Sequence, residues 1–244
     1  MSYLTVLREL LWFIRGQTHN KYLNEKNVHI WDGNSTREFL DSVGLTHYPE
    51  GCLGPIYSHQ WRNFNGKYDI CDHKESCQCN TVRTGIDQLQ SVIDQLNDPS
   101  KRNSRRLLVV SFNPCQLSEM ALPPCHVMFQ FKVSEENKLS CLMTQRSADV
   151  GLGLPYNIAS YAFLTHLIAF HCNLVPKELI ISVGSAHIYE QHIPQLTEQI
   201  SRTILPSPTI TILNRQDNIE SYTEKMFKIN DYVSDNAIKM EFIA

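Results

Sequence analysis

Two apolar strands that follow one another with only a short turn between them constrain this chain most. VMFQFKV (127–133) places Val127, Phe129, Phe131 and Val133 on one face, the period of two expected of a strand with one buried side. A turn over Glu135–Asn137 leads into LSCLMT, so the spacing predicts a hairpin. IASYAFLTHLIAFHC (158–172) is apolar on most sides and predicts a central, buried helix; LIISV (179–183) reads as another strand. Upstream, Ile86, Leu89, Val92, Ile93 and Leu96 form a stripe that predicts a helix over 84–97, closed by Pro99. RRLLVVSF (105–112) reads as a strand stopped at Asn113-Pro114, HIYEQHIPQLTEQISR as mostly helical, and TITIL and IKMEFI as short strands. Consecutive strands in mid-chain favour an α/β (α+β) fold, a mixed sheet packed with helices, over a strictly alternating barrel.

At 244 residues the chain is long enough for a sizeable core in one domain or two packed lobes. A net charge of −3 gives no electrostatic footprint for nucleic acid or an acidic membrane. MSYLTVLRELLWFIRG carries Arg8 and Glu9 in its middle, which suits a buried first helix better than a signal peptide, and no run approaches a membrane span. Eight scattered cysteines then point to reduced thiols inside the cell, with the cytoplasm expected and nucleus or mitochondrion as alternatives. Residues 69–83 contain Cys71, His73, Cys77 and Cys79. Their C-x-H-x3-C-x-C spacing matches no usual zinc module, so a surface insert without metal is expected.

Two features carry chemistry on their own residues. LPPCHVMFQF sets Cys125 and His126 at the mouth of a strand, after Pro123 and Pro124. Cys125 is either a small buried thiol or an aimed nucleophile. If the pair opens the strand, their side chains face opposite ways, so His126 is a poor base for Cys125 and a nearby cation is a better activator. Glu9 is the second feature, because a carboxyl in so apolar a helix must be protonated, paired or hydrated.

ELLWFIRG, VHIWDGN, LGPIYSHQWR, DQLQSVID, SRRLLVVSFNP, MALPPCHVMFQF, QRSADVGLGLPYNIASYAFLTH, SAHIY and the terminal IKMEFIA, in this order, resemble thymidylate synthases. The resemblance runs from residue 3 to residue 244, and NSTREFLDSVGLTHYPEG is similar to a segment of the animal-type relatives. It implies a single domain around a large, mostly antiparallel mixed sheet, paired sheet on sheet in a homodimer. It also implies reductive methylation of dUMP to dTMP, with 5,10-methylenetetrahydrofolate as donor of the carbon and the hydride.

The resemblance makes Cys125 the nucleophile toward uracil C6, with Arg146 as the nearby cation. Glu9 matches a general acid and water organiser, and Tyr57 and His126 match members of the network that removes the C5 proton. Arg146 and Ser147 match phosphate contacts within the chain, and Arg105 and Arg106 the pair that reaches the partner's site. Asn157 matches the reader of the pyrimidine edge, where Asn favours dUMP over dCMP; alone it reads equally as a helix N-cap. His187 and Tyr189 match the pair on the sugar hydroxyl. For the folate, Asp149 matches the pterin-bonding carboxylate, Trp31 and Asn34 the wall beside it, and Leu152, Gly153 and Tyr156 the lining, where Phe is commoner than Tyr156.

The sequence departs from the family at several points. Met1 falls almost at the ELLWF helix, where relatives have several dozen earlier residues with a phosphate-gripping arginine, so an N-terminally truncated copy is expected. Losing that contact would cost about 1.5 to 3 kcal/mol. Ser185 stands where Asp is usual, Phe112 replaces a common tryptophan, and the tail ends in Phe242-Ile243-Ala244, which resembles the family's only loosely. Two rival readings follow: an impaired paralogue that still binds nucleotide, and an RNA-binding or regulatory role, against which the acidic balance counts.

Overall fold

The computed structural model of the chain describes residues 2–70 and 83–241. The Cys71, His73, Cys77 and Cys79 group and the terminal Phe242-Ile243-Ala244 lie outside these described residues.

The first helix, α1 (Tyr3–Ile14), is capped by the Ser2 hydroxyl, which accepts from the Thr5 amide. Val6, Leu7, Leu10, Leu11, Trp12, Phe13 and Ile14 are all buried, so the helix lies inside the core. Two short helices, α2 (Lys21–Asn24) and α3 (Arg37–Ser42), precede α4 (Tyr57–Asn63), whose seven residues are all buried. Arg62 of α4 is only 3% exposed at its side chain; it donates to the Asp87 carboxylate, pairs with Glu220 and reaches the Ile14 carbonyl, so the buried charge is fully matched.

Helix α5 spans Gln88–Asn97, shorter than the 84–97 expected. Asp87 caps it by accepting from the Gln90 amide. Ile86 was expected on the buried stripe, but it stands outside the helix and is 63% exposed, because its backbone exchanges two hydrogen bonds with Phe64. Leu89, Val92, Ile93 and Leu96 do form the buried face.

A four-stranded sheet holds the order β1 (Leu108–Val110), β2 (His126–Val133), β3 (Lys138–Asp149), β4 (Val175–His187). The β1–β2 and β2–β3 pairs are antiparallel and β3–β4 is parallel, a mixed and mostly antiparallel sheet. The hairpin turns at Asn137, whose positive φ suits Asn. The strand expected over 105–112 contracts to Leu108–Val110, and Arg105 and Arg106 fall in the turn before it. Helix α6 (Gly153–His171) connects β3 to β4, as a parallel pair requires, and buries Tyr161, Phe163, Leu164, Leu167 and Ile168. Each such side chain contributes about 1.5 to 3 kcal/mol of burial.

After β4 come α7 (Ile193–Ser201) and a small antiparallel sheet of β5 (Thr209–Ile212) with β6 (Phe227–Asn230). β6 was not anticipated; its FKIN is too short to show a period. Conversely, residues 238–241 of the expected terminal strand IKMEFI form no strand. No helix among the described residues is long and apolar enough to cross a membrane.

Candidate active site

Cys125 lies at the junction of α4, β2 and β3. The Tyr57 hydroxyl accepts its backbone N–H at 2.6 Å, and its carbonyl accepts the Arg146 amide at 2.9 Å. The Arg146 guanidinium donates from Nε to the Pro124 carbonyl and from Nη2 to the Pro123 carbonyl, each at 3.0 Å. The two prolines are therefore held by Arg146 across the strand pair, and Cys125 is set half-exposed at their end. Three guanidinium N–H groups stay available for a ligand.

His126 faces the opposite way, into the core, for a reason that period-two reasoning did not contain. His126 pairs with Gln145 and Met128 with Thr144, so Val127 is an extra residue on β2. This two-against-one count against β3 is a β-bulge; on the other side the Val127 carbonyl accepts both the Ser111 and Phe112 amides. That extra residue shifts the phase, burying His126 alongside Phe129 and leaving Val127 half-buried rather than fully on the core face. The His126 ring lies 5.0 Å from Tyr57 and 5.2 Å from Tyr161. Burial lowers its pKa to about 4, against an opposing hydrogen bond with Asn157, so the imidazole is neutral at pH 7.

Glu9 projects from α1 into the same region, where its Oε1 accepts the Trp31 indole N–H at 2.7 Å. Burial raises its pKa to about 7, and the Trp31 hydrogen bond offsets only part of that. The expectation that this carboxyl must be protonated or paired is met both ways, and it can give or take a proton near neutral pH. Tyr57, 4% exposed, sits between Phe13 at 5.1 Å and Trp31 at 6.3 Å. Burial, with the neighbouring Cys125 second, pushes its phenol well above the ordinary tyrosine range, so it stays a hydroxyl.

Asn157 does not open a helix. α6 begins at Gly153, and its end is closed by Asp149, whose Oδ1 accepts the Gly151 amide and Oδ2 the Leu152 and Gly153 amides. A carboxylate at a helix N-terminus is also favoured by the helix dipole. Asn157 instead points toward β3, where its Oδ1 accepts from Gln145 Nε2 at 2.8 Å. Gln145, which also donates to the Ser147 carbonyl, was missed in the sequence, although it stands next to Arg146 in QRSAD. Strand alternation was the available signal, since Leu139, Cys141, Met143 and Gln145 form the buried face of β3. Gln145 Oε1, His126 Nδ1 and Tyr161 Oη are buried without a hydrogen-bond partner among the described residues, and all three adjoin Asn157 or His126.

The parallel β3–β4 register supplies the rim by setting Ser147 opposite Ser185 and Asp149 opposite His187. The His187 and Tyr189 rings meet edge to face at 5.2 Å. Trp31 and Asn34 are buried in one turn beside α1, and Tyr156 of α6 is partly buried, with burial first and the Glu9 charge second raising its phenol. Arg105 and Arg106 are not brought to this site. Both are exposed in the turn before β1, beside the Gln130–Lys132 end of β2. Cys125 precedes the other end, about 20 Å away along the strand. Among the described residues no group of His, Cys, Asp or Glu is arranged to hold a metal ion.

A half-exposed thiol, a neutral histidine, a carboxyl near neutrality and an arginine clamped on two proline carbonyls are thus gathered with Asn157 in one region. The whole chain, residues 1–244, matches the thymidylate synthase family model, and the chain belongs to that family. It is 46% identical over 97% of its length to a bifunctional dihydrofolate reductase-thymidylate synthase of Zea mays, covering 44% of that protein. Relatives of the same name from Glycine max and Leishmania major are 47% and 45% identical over 97% of the chain. The chain spans less than half the length of these curated relatives.

Proposed function

We propose that this chain acts as a thymidylate synthase, converting dUMP to dTMP with 5,10-methylenetetrahydrofolate as co-substrate. The observation that carries the reading is the setting of Cys125: fixed by Tyr57 and the Arg146-held prolines, half-exposed, and linked through Tyr57 to Glu9 and through Tyr57 and His126 to Asn157. The Cys125 thiolate adds to uracil C6, and the displaced electron pair moves toward C5 and O4, making C5 a carbon nucleophile. C5 then attacks the folate's one-carbon unit, the C5 proton and the folate amine leave, and hydride transfer from that folate completes the methyl group and releases dihydrofolate. Thiolate departure at the end restores the ring's double bond.

The other residues divide that work. Asn157, turned by Gln145, presents its amide to the pyrimidine edge, and the buried polar atoms beside it are groups such an edge can satisfy. Glu9 exchanges protons near O4, with Tyr57 and neutral His126 completing the relay toward C5. Arg146 and Ser147 hold the phosphate, and His187 and Tyr189 the sugar. The donor set suits a folate: Asp149 has three backbone amides on its roughly four lone-pair sites, leaving one for a pterin N–H. Trp31, Asn34, Leu152, Gly153 and Tyr156 line that end.

The working unit is a homodimer, supported by two observations. β4 is an edge strand of 13 residues with none fully buried, and Ile180 beside Leu142 of β3 exposes apolar surface. Arg105 and Arg106 are too far from their own Cys125 and complete the partner's phosphate site. The compartment we assign is the cytoplasm.

Incubation with 5-fluoro-dUMP and methylenetetrahydrofolate, followed by intact mass spectrometry, tests the reading. A stable adduct in the wild-type chain, absent in Cys125→Ser, supports it. A folded protein that forms no adduct overturns it.

A further inference from the structure

His192 takes no part in the site as described, yet it is 1% exposed and lies against it. Its Nε2 stands 2.8 Å from the Glu241 carbonyl, which can only accept, so Nε2 carries the proton. Nδ1 faces Asp149 Oδ1 at 3.9 Å and has no hydrogen-bond partner among the described residues. Gly151 leaves the room for this ring: a Cβ there would meet His192 Nδ1 at 2.7 Å and Met240 Sδ at 3.3 Å. The Tyr189 ring closes another side at 5.7 Å. A second clasp on the same tail segment comes from Arg202, which donates to the Asn236 carbonyl at 2.6 Å. Residues 236–241 are thus strapped at both ends by side chains next to or within α7, with Met240 pressed on the turn that Asp149 organises.

We propose that His192 is a positioning residue that fastens this strap over the Asp149 end of the site, and so governs the folate rather than dUMP. The proposal rests on the synthase reading for its kinetic arm but not for its structural arm. Trypsin cleavage after Lys239, exposed within the strap, reports fastening directly. In the purified full chain, His192→Phe keeps a ring of similar size and loses the N–H. Cleavage after Lys239 is expected to quicken roughly three- to tenfold, the loss of one such hydrogen bond. The KM for methylenetetrahydrofolate should rise by a similar factor while that for dUMP stays constant. His192→Gln, which retains a donor, should stay near wild type in both readouts. Gly151→Ala, whose Cβ crowds the ring, should loosen the strap by a second route and serves if His192→Phe fails to fold. Cleavage and folate KM unchanged in the folded ring-displacing variant, or damage in His192→Gln equal to that in His192→Phe, overturns the proposal. If the wild-type chain forms no adduct, the synthase reading fails, and the cleavage comparison still decides the strap.

Discussion

The floor and the rim of the site are built by different forces. The floor, made of Glu9, Tyr57, His126 and Tyr161, is held by aromatic packing, and burial is the first cause of every protonation shift there. The rim, made of Ser147, Asp149, Ser185 and His187, is held by backbone hydrogen bonds and the parallel β3–β4 register. A floor built by packing can keep a carboxyl and an imidazole uncharged near pH 7. A rim built by register cannot desolvate its groups as deeply, but it places them at fixed spacings along a ligand.

The comparison is tested most severely at Cys125, the proposed nucleophile between the two. Cys125→Ser should lower turnover on the order of 10⁴-fold or more while leaving dUMP binding almost intact, as steady-state rates and equilibrium dialysis would measure. An effect confined to binding would place the thiol in the rim rather than the chemistry.

Asn157 couples floor to rim through Gln145. Asn157→Asp replaces a donor with a charge at the proposed pyrimidine contact, and dUMP kcat/KM should fall roughly 10- to 100-fold, with the ratio of dCMP to dUMP use rising. Competition between the two nucleotides would read this out.

Arg105 and Arg106 should matter less. Their joint replacement by Ala is expected to raise the dUMP KM roughly tenfold with no change in melting temperature, since both are exposed. Mixing this variant with Cys125→Ser should restore activity, because one site of the mixed dimer then has a native thiol and native arginines. No recovery on mixing would show that the arginines act within their own chain.

The last effect concerns stability rather than turnover. Glu9, raised to about 7, keeps its proton in the folded state between pH 4.5 and 7, where the unfolded chain has lost it; its contribution to stability falls as pH rises through that window. His126, lowered to about 4, is neutral in the folded state between pH 4 and 6.5, where the unfolded chain binds a proton; its contribution rises with pH. The two slopes oppose each other from about pH 4.5 to 6.5. Glu9→Gln should therefore uncover a rising slope, and His126→Asn a falling one, each of roughly 1 to 3 kcal/mol in urea titrations at stepped pH. Parallel profiles for both variants would show that burial does not set the floor's protonation.

Chemical identity was legible in short stretches of the chain. PPCH, QRSAD and SAHIY named Cys125, Arg146, Ser147, Asp149, His187 and Tyr189, and the structure brings all six to one region, while Arg105 and Arg106 stand apart. The buried helices and the alternating strand were also legible, because periodicity records which face meets the core. Short elements were not: β6 spans four residues and β1 three, too few for a period.

What the sequence by itself determined is the order of the long elements, which follows from residue types at local spacing, and the candidate reactive groups, which follow from its motifs. Tertiary structure alone decided how those groups behave. The extra residue at Val127 that turns His126 inward is defined only against Gln145 and Thr144 of β3. The cap of α6 comes from Asp149 across a turn, and the orientation of Asn157 comes from Gln145 on a neighbouring strand. Glu9 near neutrality depends on residues scattered along the chain, because desolvation is a property of everything packed around a group.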